Sequence, residues 1–163
     1  MKFNTYGQNI EQIARASIIT ALAIMAGMTG FIKTGVSIYL TAAPLFLSTL
    51  LLKTNYSLLS TIISILIVDC ITGWIGYTWI SLIGYISGLI IVWLFSNRNK
   101  AFYMLGVTLG SLALLSIYTL LWWFINKDPG TALVLLGGTS IQMSFVWVFI
   151  FILYKKVCIF RKK

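Results

Sequence analysis

Between Lys53 and Arg98 the chain carries a single formal charge, Asp69. That stretch far exceeds the roughly 20 apolar residues a helix needs to cross the hydrocarbon of a bilayer. It is interrupted once, at Gly73-Trp74-Ile75-Gly76-Tyr77. A glycine-punctuated break inside a long apolar run predicts two membrane-spanning helices joined by a turn, here 57–72 and 79–95. An ionised carboxylate at the centre of a bilayer costs roughly 2.5–3.5 kcal/mol on insertion scales, so Asp69 is a candidate functional residue from the outset.

The same reasoning extends over the rest of the chain. A first span is expected over 16–32, between Arg15 and Lys33, and a second over 36–52, closed by Lys53. Two more are expected over 101–125 and 131–154, separated by the turn signal Asn126-Lys127-Asp128-Pro129-Gly130. The expected fold is therefore all-α, a six-transmembrane-helix bundle forming one integral membrane domain over residues 1–163, with four or five spans the alternative if the second segment is re-entrant. The polar segment before residue 13 is followed by no small-residue cleavage site at signal-peptide spacing, so the first apolar stretch reads as a retained helix.

Charge placement gives the expected orientation. The chain has 12 Lys and Arg against 3 Asp and Glu, a net +9. With both termini on one side, that side holds Lys2, Arg15, Lys53, Arg98, Lys100, Lys155, Lys156, Arg161, Lys162 and Lys163, leaving Lys33 and Lys127 on the other. By the positive-inside rule both termini are cytoplasmic, and the surplus charge needs no nucleic acid to explain it. Only 9% of residues are charged, against about 25% in soluble domains.

Several function classes fall away. There is no His, and Cys70 and Cys158 form no CxxC pair, which argues against a metal site or a disulfide framework. No GxxxxGK[ST] loop is present, so the chain does not use ATP itself. Lipid-modifying transferases need several carboxylates around divalent metal, and the chain is read as a non-enzyme without cofactor. Energy for any transport must come from a partner or an ion gradient.

The remaining polar chemistry gathers toward the outer helix ends. Tyr39 and Thr41 lie near that end of the second helix, Asp69 and Thr72 near that of the third. Tyr77 and Trp79 follow in the next turn, Trp122 lies near the end of the fifth helix, and Asn126, Lys127 and Asp128 sit between the fifth and sixth. Gln142 is expected about halfway through the sixth, where an amide needs a partner. Aromatic faces with a few hydrogen-bonding groups suit a small polar ring compound. Asp69 and Gln142 also admit a packing role as interhelical hydrogen-bonding groups. Trp74, Trp79, Trp122 and Trp123 also suit an interfacial aromatic belt. In the first helix, Ser17/Ala21, Ala23/Gly27 and Ala26/Gly30 fall at small-xxx-small spacing, a face built to touch another helix.

These residues carry a resemblance. Ala14-Arg15 with Ala21-Leu22 opens the first helix, and Ser37-Ile38-Tyr39-Leu40-Thr41-Ala42-Ala43-Pro44-Leu45 leads into the second. Asp69-Cys70-Ile71-Thr72-Gly73-Trp74 is followed by Trp79, Leu82-Ile83, Gly88-Leu89-Ile90, Gln142 and a basic tail. In that order they resemble the substrate-binding membrane subunit (S component) of energy-coupling factor (ECF) vitamin transporters, nearest the branch for pyridoxine, hydroxymethylpyrimidine and riboflavin-like substrates. Two departures stand out: Ala43 where the family often has an acid before the helix-two proline, and Gly84 near where it often has a lysine.

The resemblance implies a multi-pass protein of a prokaryotic plasma membrane. It would bind a small water-soluble vitamin from outside, with pyridoxine or a hydroxymethylpyrimidine-like ring favoured. It would then topple in the bilayer to release the vitamin inside, with a transmembrane coupling subunit and two ATPases. Ser17, Ala21, Ala23 and Gly27 would face the coupling subunit. The alternative is a standalone proton-coupled carrier relaying through Asp69. One carboxylate with no histidine and no evident inverted repeat is a poor basis for that.

Overall fold

A computed structural model describes residues 3–28, 40–96 and 99–161. The described residues form six α-helices and no strand: α1 (Phe3–Met28), α2 (Ala42–Leu51), α3 (Thr54–Thr72), α4 (Thr78–Ser96), α5 (Lys100–Asn126) and α6 (Pro129–Arg161), with a 3-10 turn at Ile75–Tyr77 between α3 and α4. Among the described residues, five segments are long and apolar enough to cross a membrane: Gly7–Met28, Thr54–Thr72, Ile75–Ser96, Lys100–Ile125 and Leu136–Tyr154.

The second helix departs from expectation. In place of a span over 36–52, the described part is a ten-residue helix, Ala42–Leu51, about 15 Å long and half the thickness of a hydrocarbon core. Leu40 and Thr41 form a turn. Pro44 is the physical reason: it has no N–H to give the Leu40 carbonyl, and its ring would collide with that carbonyl in a continuing helix. The Ala43 N–H bonds Leu40 O instead, at 3.1 Å. Residues 36–39 lie outside the described part. The helix is nonetheless the centre of the bundle, with all but Pro44 and Leu51 buried and α1, α3, α4 and α6 packed around it. Tyr103 of α5 donates its hydroxyl to Phe46 O across this core, at 2.9 Å.

Successive helices run antiparallel, which leaves α1 and α3 parallel, and these two also pack directly against each other. Gly27 meets Thr41 at one end of α1, while Gln12 accepts the Lys53 N–H at the other, at 2.9 Å. Between α1 and α3 the seam is hydroxylic: Thr20 and Ser60 hydrogen bond at 2.8 Å, and Ser64 donates to Thr20 O at 3.5 Å. Ser48 of α2 bonds Ser57 of α3. Where burial in lipid offers little hydrophobic gain between helices, such bonds and close packing supply the association. The α4–α5 seam uses glycine instead. A Cβ on Gly110 would stand 2.7 Å from Gly88 O, and one on Gly88 would stand 3.0 Å from Gly110 O. The two backbones touch there.

The helix ends follow local chemistry. α3 ends in a Schellman motif: Gly73 takes φ +80°, its N–H bonds Cys70 O, and the Trp74 N–H bonds Asp69 O at 2.8 Å. Asp128 Oδ1 accepts the Gly130 N–H at 3.0 Å and so caps α6, with Pro129 at its first position. α1 starts well before residue 16, helped by the Glu11–Arg15 ion pair one turn apart. Arg15, Lys53 and Lys100 lie at the end of the bundle opposite the α3–α4 turn, and Lys127 lies at the same end as that turn.

Candidate functional site

The turn that ends α3 also builds the candidate site. Because the Asp69 carbonyl holds the Trp74 N–H, the carboxylate and the first aromatic of the turn are fixed relative to each other. Trp74, Tyr77 and Trp122 then form a triangle of tilted rings, with centroid separations of 5.7 Å (Trp74–Tyr77), 5.5 Å (Trp74–Trp122) and 5.1 Å (Tyr77–Trp122). Two of these rings come from the α3–α4 turn and the third from the last part of α5. The cluster exists because α4 folds back on α3 and α5 returns beside α4.

Asp69 is 9% exposed, and its Oδ2 is buried without a hydrogen-bond partner among the described residues. Thr78 and Ser81, buried in the first turn of α4, stand beside the carboxylate, and Thr78 Oγ1 itself makes no hydrogen bond among the described residues. Thr41, 2% exposed at the start of α2, likewise has its Oγ1 buried with no partner among the described residues. A buried polar atom without a partner costs about 1–3 kcal/mol. The fold tolerates at least three at this end, one a carboxylate oxygen and two of them the Thr41 and Thr78 hydroxyls. Together with three ring faces they can accept hydrogen bonds from a polar ring and stack on it.

The expected site residues divide. Thr41, Asp69, Tyr77 and Trp122 lie at this end of the bundle, as does Thr72. Thr72 spends its hydroxyl on Val68 O of its own helix, at 2.8 Å. Trp79 is 47% exposed and makes no ring contact among the described residues, the placement of an interfacial tryptophan. Gln142 is 5% exposed on α6. The pairing of Tyr103 with Tyr154 sets it level with the middle of α5, deeper than Trp122. Tyr39 and the side chain of Asn126 lie outside the described residues.

The expected partner face divides too. Ser17 and Ala21 are exposed and continue a surface stripe through Ile10, Ile18, Leu22 and Met25. Ala23 is fully buried, and a Cβ on Gly27 would stand 2.7 Å from both Thr41 Oγ1 and Val68 Cγ2. The small size of Ala23 and Gly27 therefore serves α1's own packing on α2 and α3.

Thr78, Ser81 and Trp74 were not among the expected site residues. The signal for the first two was available: a lone carboxylate needs partners, and a tight turn brings residues of the next helix back against it. The two departures also find structural counterparts. Ala43 is buried, and the space a side chain at Gly84 would take is filled by the Tyr118 ring, 2.9 Å from an ideal Cβ.

Among the described residues no group of three or more His, Cys, Asp or Glu could hold a metal ion. No curated protein and no solved structure matched the chain. One family model, ECF-type riboflavin transporter, S component, matches residues 7–158. Members are non-enzymatic, substrate-binding, multi-pass proteins of the plasma membrane, and the five membrane-crossing segments fit that description. With nearly its whole length matched, the chain belongs to the ECF transporter S-component family.

Proposed function

We propose that this chain is the substrate-specific subunit of an ECF transporter for a small ring-containing vitamin, pyridoxine or a hydroxymethylpyrimidine-like compound. The vitamin would be held at the end of the bundle marked by Asp69 and the Trp74–Tyr77–Trp122 triangle. The observation that carries this reading is the pairing of a buried, unpartnered carboxylate oxygen with three ring faces that converge at one end of the bundle. The rings stack on the heterocycle, Asp69 accepts a hydrogen bond from a ring hydroxyl, amine or N–H, and Thr41 adds a hydroxyl.

The asymmetric lysines and arginines put this end on the outer side of the membrane and both termini in the cytoplasm. Binding is then from outside. Delivery inward proceeds by toppling against a transmembrane coupling subunit, with two ATPases supplying the energy. The exposed stripe of α1 at Ser17 and Ala21 is the contact for that subunit. Family membership gives no support to the standalone proton-coupled carrier. Asp69 then serves as a ligand contact in the place of a relay.

Mass spectrometry of small molecules co-purifying with the protein tests the reading. A pyridoxine- or pyrimidine-sized compound, lost in Asp69→Asn, is the expected result. Riboflavin in its place would move the substrate to the one for which the matching family is named. A compound retained equally by wild type and Asp69→Asn would remove Asp69 from the site.

A further inference from the structure

At the end of the bundle opposite the aromatic triangle lies an open cleft of about 400 Å³. Its walls come from three places: Gln12 and Arg15 of α1, Lys53 and Thr54 at the α2–α3 junction, and Trp93 and Ser96 of α4. The end of α2 forms its apolar floor. Gln12 fixes the junction by accepting the Lys53 N–H at 2.9 Å, which leaves the lysine side chain free to point elsewhere. No carboxylate pairs with Lys53 among the described residues. None of the lining residues is acidic, and Glu11, one turn before Arg15, engages a single Arg15 nitrogen. A guanidinium carries five N–H donors, so Arg15 keeps donors for a second anion.

From this geometry we infer that the cleft binds the phosphate of an anionic phospholipid headgroup from the adjoining leaflet. Charge and position both argue for it. Two cations from different elements converge on a cavity whose lining holds no acid. The cavity sits where α2 ends, α3 begins and α4 is about to end, the level of a helix terminus at the membrane surface. Trp93, 38% exposed at the mouth, is a ring suited to the headgroup region. Basic pockets between membrane helices take anionic lipid headgroups in this way. The apolar floor of Leu50, Leu51 and Leu52 suits the glycerol and first methylenes of the lipid better than a fully hydrated free anion. The site is separate from the substrate end, and it would anchor the junction of α1, α2 and α3 to one leaflet.

The test uses the full chain in mild detergent. Wild type, the double variant Arg15→Gln/Lys53→Gln, and Lys53→Arg are titrated with phosphatidylglycerol and phosphatidylcholine of matched acyl chains and read by native mass spectrometry. Wild type should retain phosphatidylglycerol preferentially. Each surface cation is worth about fivefold near an anionic lipid, so the double variant should lose roughly 25-fold in retention. Lys53→Arg should keep most of it. Melting should hold in all three, because the Lys53 bond to Gln12 uses the backbone and the Glu11–Arg15 pair is a surface pair. Brominated phosphatidylglycerol should quench fluorescence in wild type, with the saturable component missing in Trp93→Phe. Equal retention of the two lipids, or unchanged retention in the double variant, would overturn the inference. So would displacement of the lipid by millimolar inorganic phosphate, which would make the ligand a free anion. If the double variant kept its lipid but lost co-purification with the coupling subunit, the cleft would be a protein contact and the lipid assignment would be wrong.

Discussion

Replacing Gly110 with alanine should loosen the bundle although it adds one methyl group. The new Cβ would lie 2.7 Å from Gly88 O and 2.8 Å from Val92 Cγ2, where ordinary contact begins near 3.4 Å. To relieve that, α4 and α5 would have to part by about 0.7 Å, the difference between those two distances. The neighbour is a backbone carbonyl, which cannot rotate away, so the strain passes to the whole α4–α5 seam. Overpacking of this kind costs about 1–3 kcal/mol. Alanine in place of glycine inside a helix returns about 0.5–1 kcal/mol, which leaves a net loss of up to about 2.5 kcal/mol. Gly137 supplies the control: it is helical, and a Cβ there meets nothing within 4 Å, so Gly137→Ala should show only the gain. At about 2–4 °C per kcal/mol for a chain of this size, the two variants should melt roughly 2–12 °C apart. Gly88→Ala, with its Cβ at 3.0 Å, should fall between them. Thermal unfolding in detergent, followed by size-exclusion chromatography, measures this directly. If Gly110→Ala melted together with Gly137→Ala, the two backbones would not be in contact and the helix packing described above would be wrong.

Ala21→Leu should leave melting unchanged and weaken co-purification with the coupling subunit, whereas Ala23→Leu, at a fully buried position, should lower the melting temperature; the reverse pattern would invert the assigned faces of α1. Tyr103→Phe should cost about 0.5–1.5 kcal/mol, toward the lower end because Thr49 also donates to Phe46 O, at 2.8 Å; no change in melting would show that the Tyr103 bond adds nothing. Lys127→Gln, remote from the basic cleft, should leave phosphatidylglycerol retention as in wild type, and a loss equal to that of the double cleft variant would make the lipid preference a general charge effect.

What could be read from the sequence follows the range of the physics involved. Long apolar runs and their breaks are local, and α3 to α6 lie within a few residues of the expected spans except where α6 continues past Tyr154. Gly73 announced the α3–α4 turn because a left-handed residue is needed there. A full span and a shorter re-entrant second helix are both compatible with the sequence, because hydropathy counts Leu40 and Thr41 as apolar enough, whereas Pro44 blocks the helix across them. The start of α1 was missed because its first turns are polar, and hydropathy carries no helix signal in polar residues. Which small residues of α1 face outward depends on where α2 lands: Ala23 and Gly27 look like Ser17 and Ala21 in sequence, and only packing separates them. The aromatic triangle needed three elements in register. Asp69, Tyr77 and Trp122 could be nominated one by one, but their convergence, and the hydroxyls of Thr78 and Ser81, belong to the tertiary structure.

Calorimetric titration of the purified protein with pyridoxine, hydroxymethylpyrimidine and riboflavin, repeated on Asp69→Asn and Trp122→Ala, bears most directly on the assignment of the substrate end. The expected result is saturable binding of one ring compound by wild type. Both variants should bind it at least tenfold more weakly, a loss of about 1.4 kcal/mol, in line with one hydrogen bond or one stacked ring. Wild-type affinity in both variants, at unchanged melting temperature, would place the ligand away from Asp69 and the Trp74–Tyr77–Trp122 triangle.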